Sequence, residues 1–211
     1  MTTKLDIFSD PICPWCYIGK ARLEAALEQR PDHPFVVEWH PFMLNPGMEP
    51  GGMDRREYLQ AKFGPPEDVV KAYLPVQQAA DETGLPMNLS AIARTPSTLD
   101  AHRLIHWAGL EGQQNAVVSA LFRAYFVDGQ DIGDRDTLAG IAAASGLDGA
   151  VIARLLDGDA DKAEIRARDA EIRERGLQGV PAFILGRTYV VSGAQPASVW
   201  LQIIDDIARL S

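Results

Sequence analysis

Both cysteines of the chain fall within four residues, Cys13-Pro14-Trp15-Cys16. Two thiols at C-x-x-C spacing can close a disulfide with each other, exchange with an external disulfide, or supply half of a tetrahedral metal site. The flanks favour exchange. Lys4-Leu5-Asp6-Ile7-Phe8 reads as a short buried strand and Tyr17 to Glu28 as a helix, which puts Cys13 at a strand-to-helix turn. There the free N–H groups and the positive end of the helix dipole face the sulfur and stabilise a thiolate. The thiolate is the form that attacks a disulfide. Cys13 is therefore the candidate nucleophile, and Cys16, in the first helical turn, the candidate resolving thiol. Zinc is disfavoured, because the four histidines, at 33, 40, 102 and 106, offer no second ligand pair at finger-like spacing.

Other residues carry weaker signals. Pro14 suits the first helical position, where its missing N–H costs nothing, and this makes Cys13 the N-cap. Trp15 reads equally as an aromatic rim and as a platform for a substrate chain. Asp6 is a charge inside a strand expected to be buried; a desolvated carboxyl has a raised pKa and can shuttle a proton to the resolving thiol. The alternative is a sheet-edge aspartate facing water. His102 and His106 stand at i, i+4, a metal-pair spacing, but structural packing is the preferred reading. Asp128, Asp131, Asp134 and Asp136 resemble a calcium loop loosely: its bidentate Glu would fall at Ala139, and Asp134 as a helix N-cap accounts for the cluster better. Arg166, Arg168, Arg173 and Arg175 read as a solvated helix face.

The elements that must hold the motif follow from hydrophobic periodicity. Leu5 and Ile7 point to one face of the first strand, Asp6 and Phe8 to the other. Phe35 to Met43 reads as a second strand, parallel to the first through a right-handed crossover. Between Asp54 and Arg175 no convincing strand is visible. The segments 55–63, 67–83, 97–110, 113–127, 137–145, 149–156 and 159–175 read as helices. Strands return at Ala182–Leu185 and Tyr189–Ser192, joined by a Gly186-Arg187-Thr188 hairpin. Gln195 to Leu210 is an amphipathic closing helix. The order is βαβ, a helical block, then ββα: an α/β chain with a discontinuous framework (residues 1–53 and 176–211) and an all-helical insertion (54–175).

Bulk properties exclude little. A chain of 211 residues, 46% hydrophobic and 23% charged, suits one large globular domain or one with an insertion. The formal net charge of -9 argues against nucleic-acid binding. No secretory leader and no membrane-spanning run is evident, so a cytoplasmic location is expected. A lone C-x-x-C in a reducing compartment favours catalysis over a structural disulfide.

Four blocks carry a family resemblance: Ser9-Asp10-Pro11-Ile12-Cys13-Pro14-Trp15-Cys16-Tyr17-Ile18-Gly19, Thr98-Leu99-Asp100-Ala101-His102-Arg103-Leu104, Gly179-Val180-Pro181-Ala182-Phe183 and Ser192-Gly193-Ala194-Gln195-Pro196. The chain resembles DsbA-family oxidoreductases, which insert helices into a thioredoxin fold, and within them the cytosolic FrnE-like branch. The resemblance implies a thiol–disulfide oxidoreductase or isomerase acting on protein or peptide disulfides, with no bound organic cofactor and with glutathione as a conceivable co-substrate. It implies a cis Pro181 facing the cysteines and a Val180 backbone that pairs with substrate. It aligns Asp6 with a buried acid. One departure is Ser97, where the branch carries asparagine. Two rivals share the framework: glutathione-dependent kappa-class transferases and 2-hydroxychromene-2-carboxylate isomerases, which need no resolving cysteine, and a non-catalytic binding module or chaperone. Cys16 argues against the first rival. The second predicts that activity survives loss of both thiols. The natural substrate, electron donor and oligomeric state are not written in these residues.

Overall fold

The computed structural model describes residues 2–210, with Leu210 described by its backbone alone; Met1 and Ser211 lie outside the described residues. The framework begins with β1 (Thr3–Ser9), α1 (Pro14–Gln29) and β2 (Phe35–Pro41), and ends with β5 (Ala182–Leu185), β6 (Tyr189–Ser192) and α9 (Ala197–Leu210). These strands form one sheet in the order β2-β1-β5-β6. β1 runs parallel to β2, with Asp6 opposite Glu38 and Phe8 opposite His40, and antiparallel to β5.

The alternation in β1 decides which face does what. Leu5 and Ile7 are fully buried and share a core with Leu23 and Ala26 of α1 and with Trp200 and Ile204 of α9. Lys4, Asp6 and Phe8 occupy the opposite face. At about 25 cal/mol per Å² of apolar surface buried, such side chains contribute about 1.5–3 kcal/mol each, so a one-residue slip of β1 would be prohibitive.

The insertion holds α2 (Arg55–Phe63), α3 (Pro66–Thr83), α4 (Leu99–Leu110), α5 (Gln114–Phe126), α6 (Arg135–Ala144), α7 (Gly149–Asp157) and α8 (Lys162–Glu174). It is not all helical. β3 (Met53–Asp54) pairs antiparallel with β4 (Arg94–Thr95), and Leu89–Ala91 forms a 3-10 turn. Strands of two residues carry no detectable alternation, and for this reason the sequence pattern does not show them. Asp134 caps α6 by accepting from the Thr137 N–H at 2.8 Å, as its spacing predicts.

Two features hold the insertion in place, one against the framework and one within the insertion itself. Tyr17 of α1 stacks on Phe122 and Phe126 of α5, with ring centroids 5.3 and 5.5 Å apart. Arg103 of α4, fully buried, donates to the carbonyls of Leu155, Gly158 and Ala160 and to the Asp100 carboxylate, tying α4 to the end of α7. Among the described residues no helix is long and apolar enough to cross a membrane.

Candidate active site

Cys13 is the N-cap of α1, with extended backbone (φ -87°, ψ 114°), and Pro14 opens the helix. Its carbonyl accepts from the N–H groups of Cys16 at 3.0 Å and Tyr17 at 3.2 Å. Its own N–H donates to the Asp10 carbonyl at 2.9 Å, which fixes the loop ahead of the helix. Both cysteines are free thiols and both are buried, Cys13 at 4% exposure and Cys16 at 1%.

The second half of the site arrives from the far end of the chain. The Val180–Pro181 peptide is cis. The Cys13 thiol donates to the Val180 carbonyl at 3.8 Å, 167 residues away in sequence. α1 approaches this loop closely because of Gly19: a Cβ there would lie 3.0 Å from Pro181 Cγ and 3.5 Å from Ala194. Arg22, one turn on, donates to the Ala194 carbonyl at 2.7 Å. A cavity of about 300 Å³ opens beside the thiol, with Cys13, Trp15 and Val180 on one side and Tyr58, Lys62 and Tyr73 of α2 and α3 on the other. Pro14 lines it too, so the sequence-derived residues Cys13, Pro14, Trp15 and Val180 all meet there.

The two thiols differ in their surroundings. Cys13 lines the cavity, whereas Cys16 faces the interior. Burial pushes the Cys16 thiol well up and the adjacent Cys13 adds to this, while hydrogen bonds from the Ser9 hydroxyl and the Asp10 backbone pull the other way. Cys16 thus holds its proton until a base removes it.

Two acids near the motif are buried, Asp6 at 8% exposure and Asp10 at 0%. The Asp6 carboxylate lies on the sheet face toward α8, paired with Lys4 at 3.0 Å and with His40 at 2.6 Å. Burial alone would raise its pKa, but the bonds from Lys4 and His40 outweigh it and hold the group below the ordinary carboxylate range. Asp10 is fully buried. It accepts from the N–H groups of Ile12 at 3.2 Å and Leu44 at 2.6 Å and from the Thr98 hydroxyl at 3.4 Å. Burial pushes its pKa up to about 7 in spite of these bonds, with Asp169 adding to the rise. The sequence reads Ser9-Asp10-Pro11 as a turn, and nothing local signals that this turn is sealed.

The remaining candidates resolve as packing. His102 is buried, and burial first, then Arg168, pushes its pKa down to about 3. His106 instead accepts a hydrogen bond from Arg168 at 3.2 Å, so the two histidines form no joint ligand pair. Arg168 and Arg173 are half-buried and bonded rather than freely solvated: the first also binds His40 at 2.9 Å, the second the Asp169 carboxylate and the Met43 carbonyl. Arg166 and Arg175 are exposed, as expected. Asp6, Glu38 and His40 stand close enough to hold a cation, but the Lys4 ammonium already bridges the two acids, at 3.0 and 2.7 Å.

The DSBA-like thioredoxin domain family model matches residues 4–205. The uncharacterized protein YwbO of Bacillus subtilis (strain 168) is 30% identical over 210 residues, covering 98% of both chains. Among solved structures, the probable DsbA oxidoreductase SCO1869 of Streptomyces coelicolor is 34% identical with a TM-score of 0.85, over 97% of this chain and 89% of that one. The cytosolic disulfide reductase DsbM of Pseudomonas aeruginosa, also solved with GSH, shares the fold at 24% identity and a TM-score of 0.69, over 99% of this chain and 100% of that one.

Proposed function

We propose, from the premise that the chain belongs to the DSBA-like thioredoxin domain family, that it is a thiol–disulfide oxidoreductase working through the Cys13–Cys16 dithiol. One observation carries the reading: the N-cap thiol Cys13 faces a cavity and the Val180 backbone, while Cys16 sits behind it with its proton held. The Cys13 thiolate attacks one sulfur of a substrate disulfide, forming a mixed disulfide and expelling the other sulfur as a thiolate, which takes up a proton. Cys16 gives up its proton and attacks Cys13 Sγ. This closes the Cys13–Cys16 disulfide and releases the second substrate thiol. The substrate gains two electrons and the protein loses two. We assign the uptake of that proton to Asp10, whose backbone bonds to Cys16 and whose buried carboxyl titrates near neutrality.

The substrate side is a protein or peptide disulfide lying along Trp15 and Val180-Pro181, with Pro14 shaping the approach. The cycle needs an external dithiol or two monothiols to restore Cys13 and Cys16, because the chain holds no third cysteine. Glutathione fits that role. Arg55 and Lys62 line the same cavity and neither has a carboxylate partner among the described residues: Arg55 binds the hydroxyls of Tyr73, Thr95 and Tyr125, and Lys62 that of Tyr58. Two uncompensated cations beside a reactive thiol favour an anionic co-substrate. The DsbM structure with GSH supports the same assignment. A cytoplasmic setting, where reduced glutathione is abundant, suits this cycle.

The test is insulin disulfide reduction driven by dithiothreitol. Wild type is expected to accelerate it and Cys13→Ser to fall to the uncatalysed rate; equal rates would remove the oxidoreductase reading. Cys16→Ser is expected to accumulate a mixed disulfide on Cys13, detectable as a mass adduct that reductant removes. A glutathione-dependent isomerase would turn over in the Cys16→Ser variant without any such adduct.

A further inference from the structure

The sheet face opposite α1 carries a second cavity, of about 350 Å³, that shares no lining residue with the one beside Cys13. Its floor is Phe8, His40 and Ile184 of the sheet; α8 supplies Arg168 and the β5–β6 turn supplies Arg187. We propose that this cavity is a binding site for a small organic anion, a carboxylate or phosphate group on an apolar body, held by Arg168 and Arg187.

Arg168 is the first cation of the site. Its guanidinium donates to His40 Nδ1 at 2.9 Å and to His106 Nδ1 at 3.2 Å. A guanidinium can only donate, so both ring nitrogens accept and neither carries a proton. His40 therefore bears its proton on Nε2 and gives that hydrogen bond to the Asp6 carboxylate at 2.6 Å. Both partners of Arg168 are neutral rings at these atoms, and among the described residues no carboxylate lies within ion-pair distance of it. The cation is held rigidly, is not neutralised, and keeps three of its five N–H donors for another acceptor.

Arg187 supplies the second cation. It sits in the turn with φ +64°, exposed, and among the described residues it has neither a hydrogen bond nor an ion pair. Lys4 is different, since Asp6 and Glu38 already neutralise it. In a chain of net charge -9, two uncompensated arginines lining one concavity, whose Glu171 carboxylate is already taken up by Arg175, are a local reversal of the overall field. The planar fork of arginine matches carboxylate and phosphate oxygens. The Phe8 ring, stacked on His40 at 5.0 Å, and Ile184 give the body of the ligand an apolar wall.

Amide chemical shifts of the ¹⁵N-labelled protein, titrated at low salt with phenyl phosphate, benzoate and inorganic phosphate, test this. Phenyl phosphate or benzoate, whichever charge the site prefers, is expected to shift Phe8, His40, Arg168 and Ile184 saturably and to bind more tightly than inorganic phosphate. Loss of one charge-assisted fork should weaken binding roughly tenfold in Arg168→Gln. Arg187→Gln, which removes no internal contact and so leaves folding intact, should weaken it several-fold without altering insulin reduction. The proposal is overturned by the absence of saturable shifts, by shifts centred on the Cys13 cavity, by affinity unchanged in Arg187→Gln, or by inorganic phosphate binding as tightly as the aromatic anions.

Discussion

Cys13 and Cys16 have the same side chain and opposite surroundings, and the difference is chemical. Cys13 lines an open cavity at a helix N-terminus; Cys16 is a buried thiol whose proton is held by burial. Limiting iodoacetamide at neutral pH is expected to alkylate Cys13 and spare Cys16, as located by fragment mass spectrometry; preferential labelling of Cys16 would reverse the assigned roles. This asymmetry was legible in the residues, because C-x-x-C spacing with proline at the first helical position dictates which thiol caps the helix. The state of the two acids was not legible. Asp6 is buried as its strand predicts, yet Lys4 and His40 stabilise its charge. Asp10 looks like turn punctuation, yet Leu44 and Thr98, 34 and 88 positions away, seal it. A carboxyl's environment is a tertiary property, and strand alternation says nothing about who closes over a turn.

At the scale of elements, the site depends on how closely α1 meets the Val180-Pro181 loop. Glycine inside a helix normally costs about 1 kcal/mol relative to alanine. Gly19 accepts that cost because a methyl group there would stand 3.0 Å from Pro181 Cγ. Gly140 in α6 meets nothing within 4 Å and makes a matched control. Gly140→Ala is expected to raise stability by about 1 kcal/mol. Gly19→Ala is expected to lower it by about 1 kcal/mol, the overpacking exceeding the propensity gain. It should also raise KM for insulin reduction more than it changes kcat, since the loop that meets substrate is displaced while both thiols remain. Denaturant melts and steady-state kinetics on both variants check this, and a Gly19→Ala protein as stable and active as Gly140→Ala would refute the tight contact. Most elements were readable because their apolar spacing is long and regular: β5 and β6 begin and end where the pattern places them. The β3–β4 pair was not, since two residues show no period; beside it Arg55 bonds to Thr95 and Arg94 to the Gly51 carbonyl.

At the scale of the whole molecule, two buried titratable groups pull stability in opposite directions over the same pH range. Asp10 has its pKa raised from 3.8 to about 7, so the folded state holds a proton that the unfolded chain releases; its contribution is complete below pH 3.8 and is lost as pH rises toward 7. His102 has its pKa lowered from 6.5 to about 3, so the unfolded chain binds a proton that the fold excludes; its contribution is complete above pH 6.5 and is lost as pH falls toward 3. At about 1.36 kcal/mol per pKa unit, each shift corresponds to about 4–5 kcal/mol. Between pH 4 and 6.5 the slopes oppose, and wild-type stability should be flatter there than that of either single variant. Asp10→Asn leaves the histidine slope alone, so its stability is expected to rise with pH. His102→Leu leaves the aspartate slope alone, so its stability is expected to fall with pH. Urea unfolding at pH 4.5, 5.5 and 6.5 distinguishes these outcomes, and parallel profiles for all three proteins would show that neither group titrates as its burial requires.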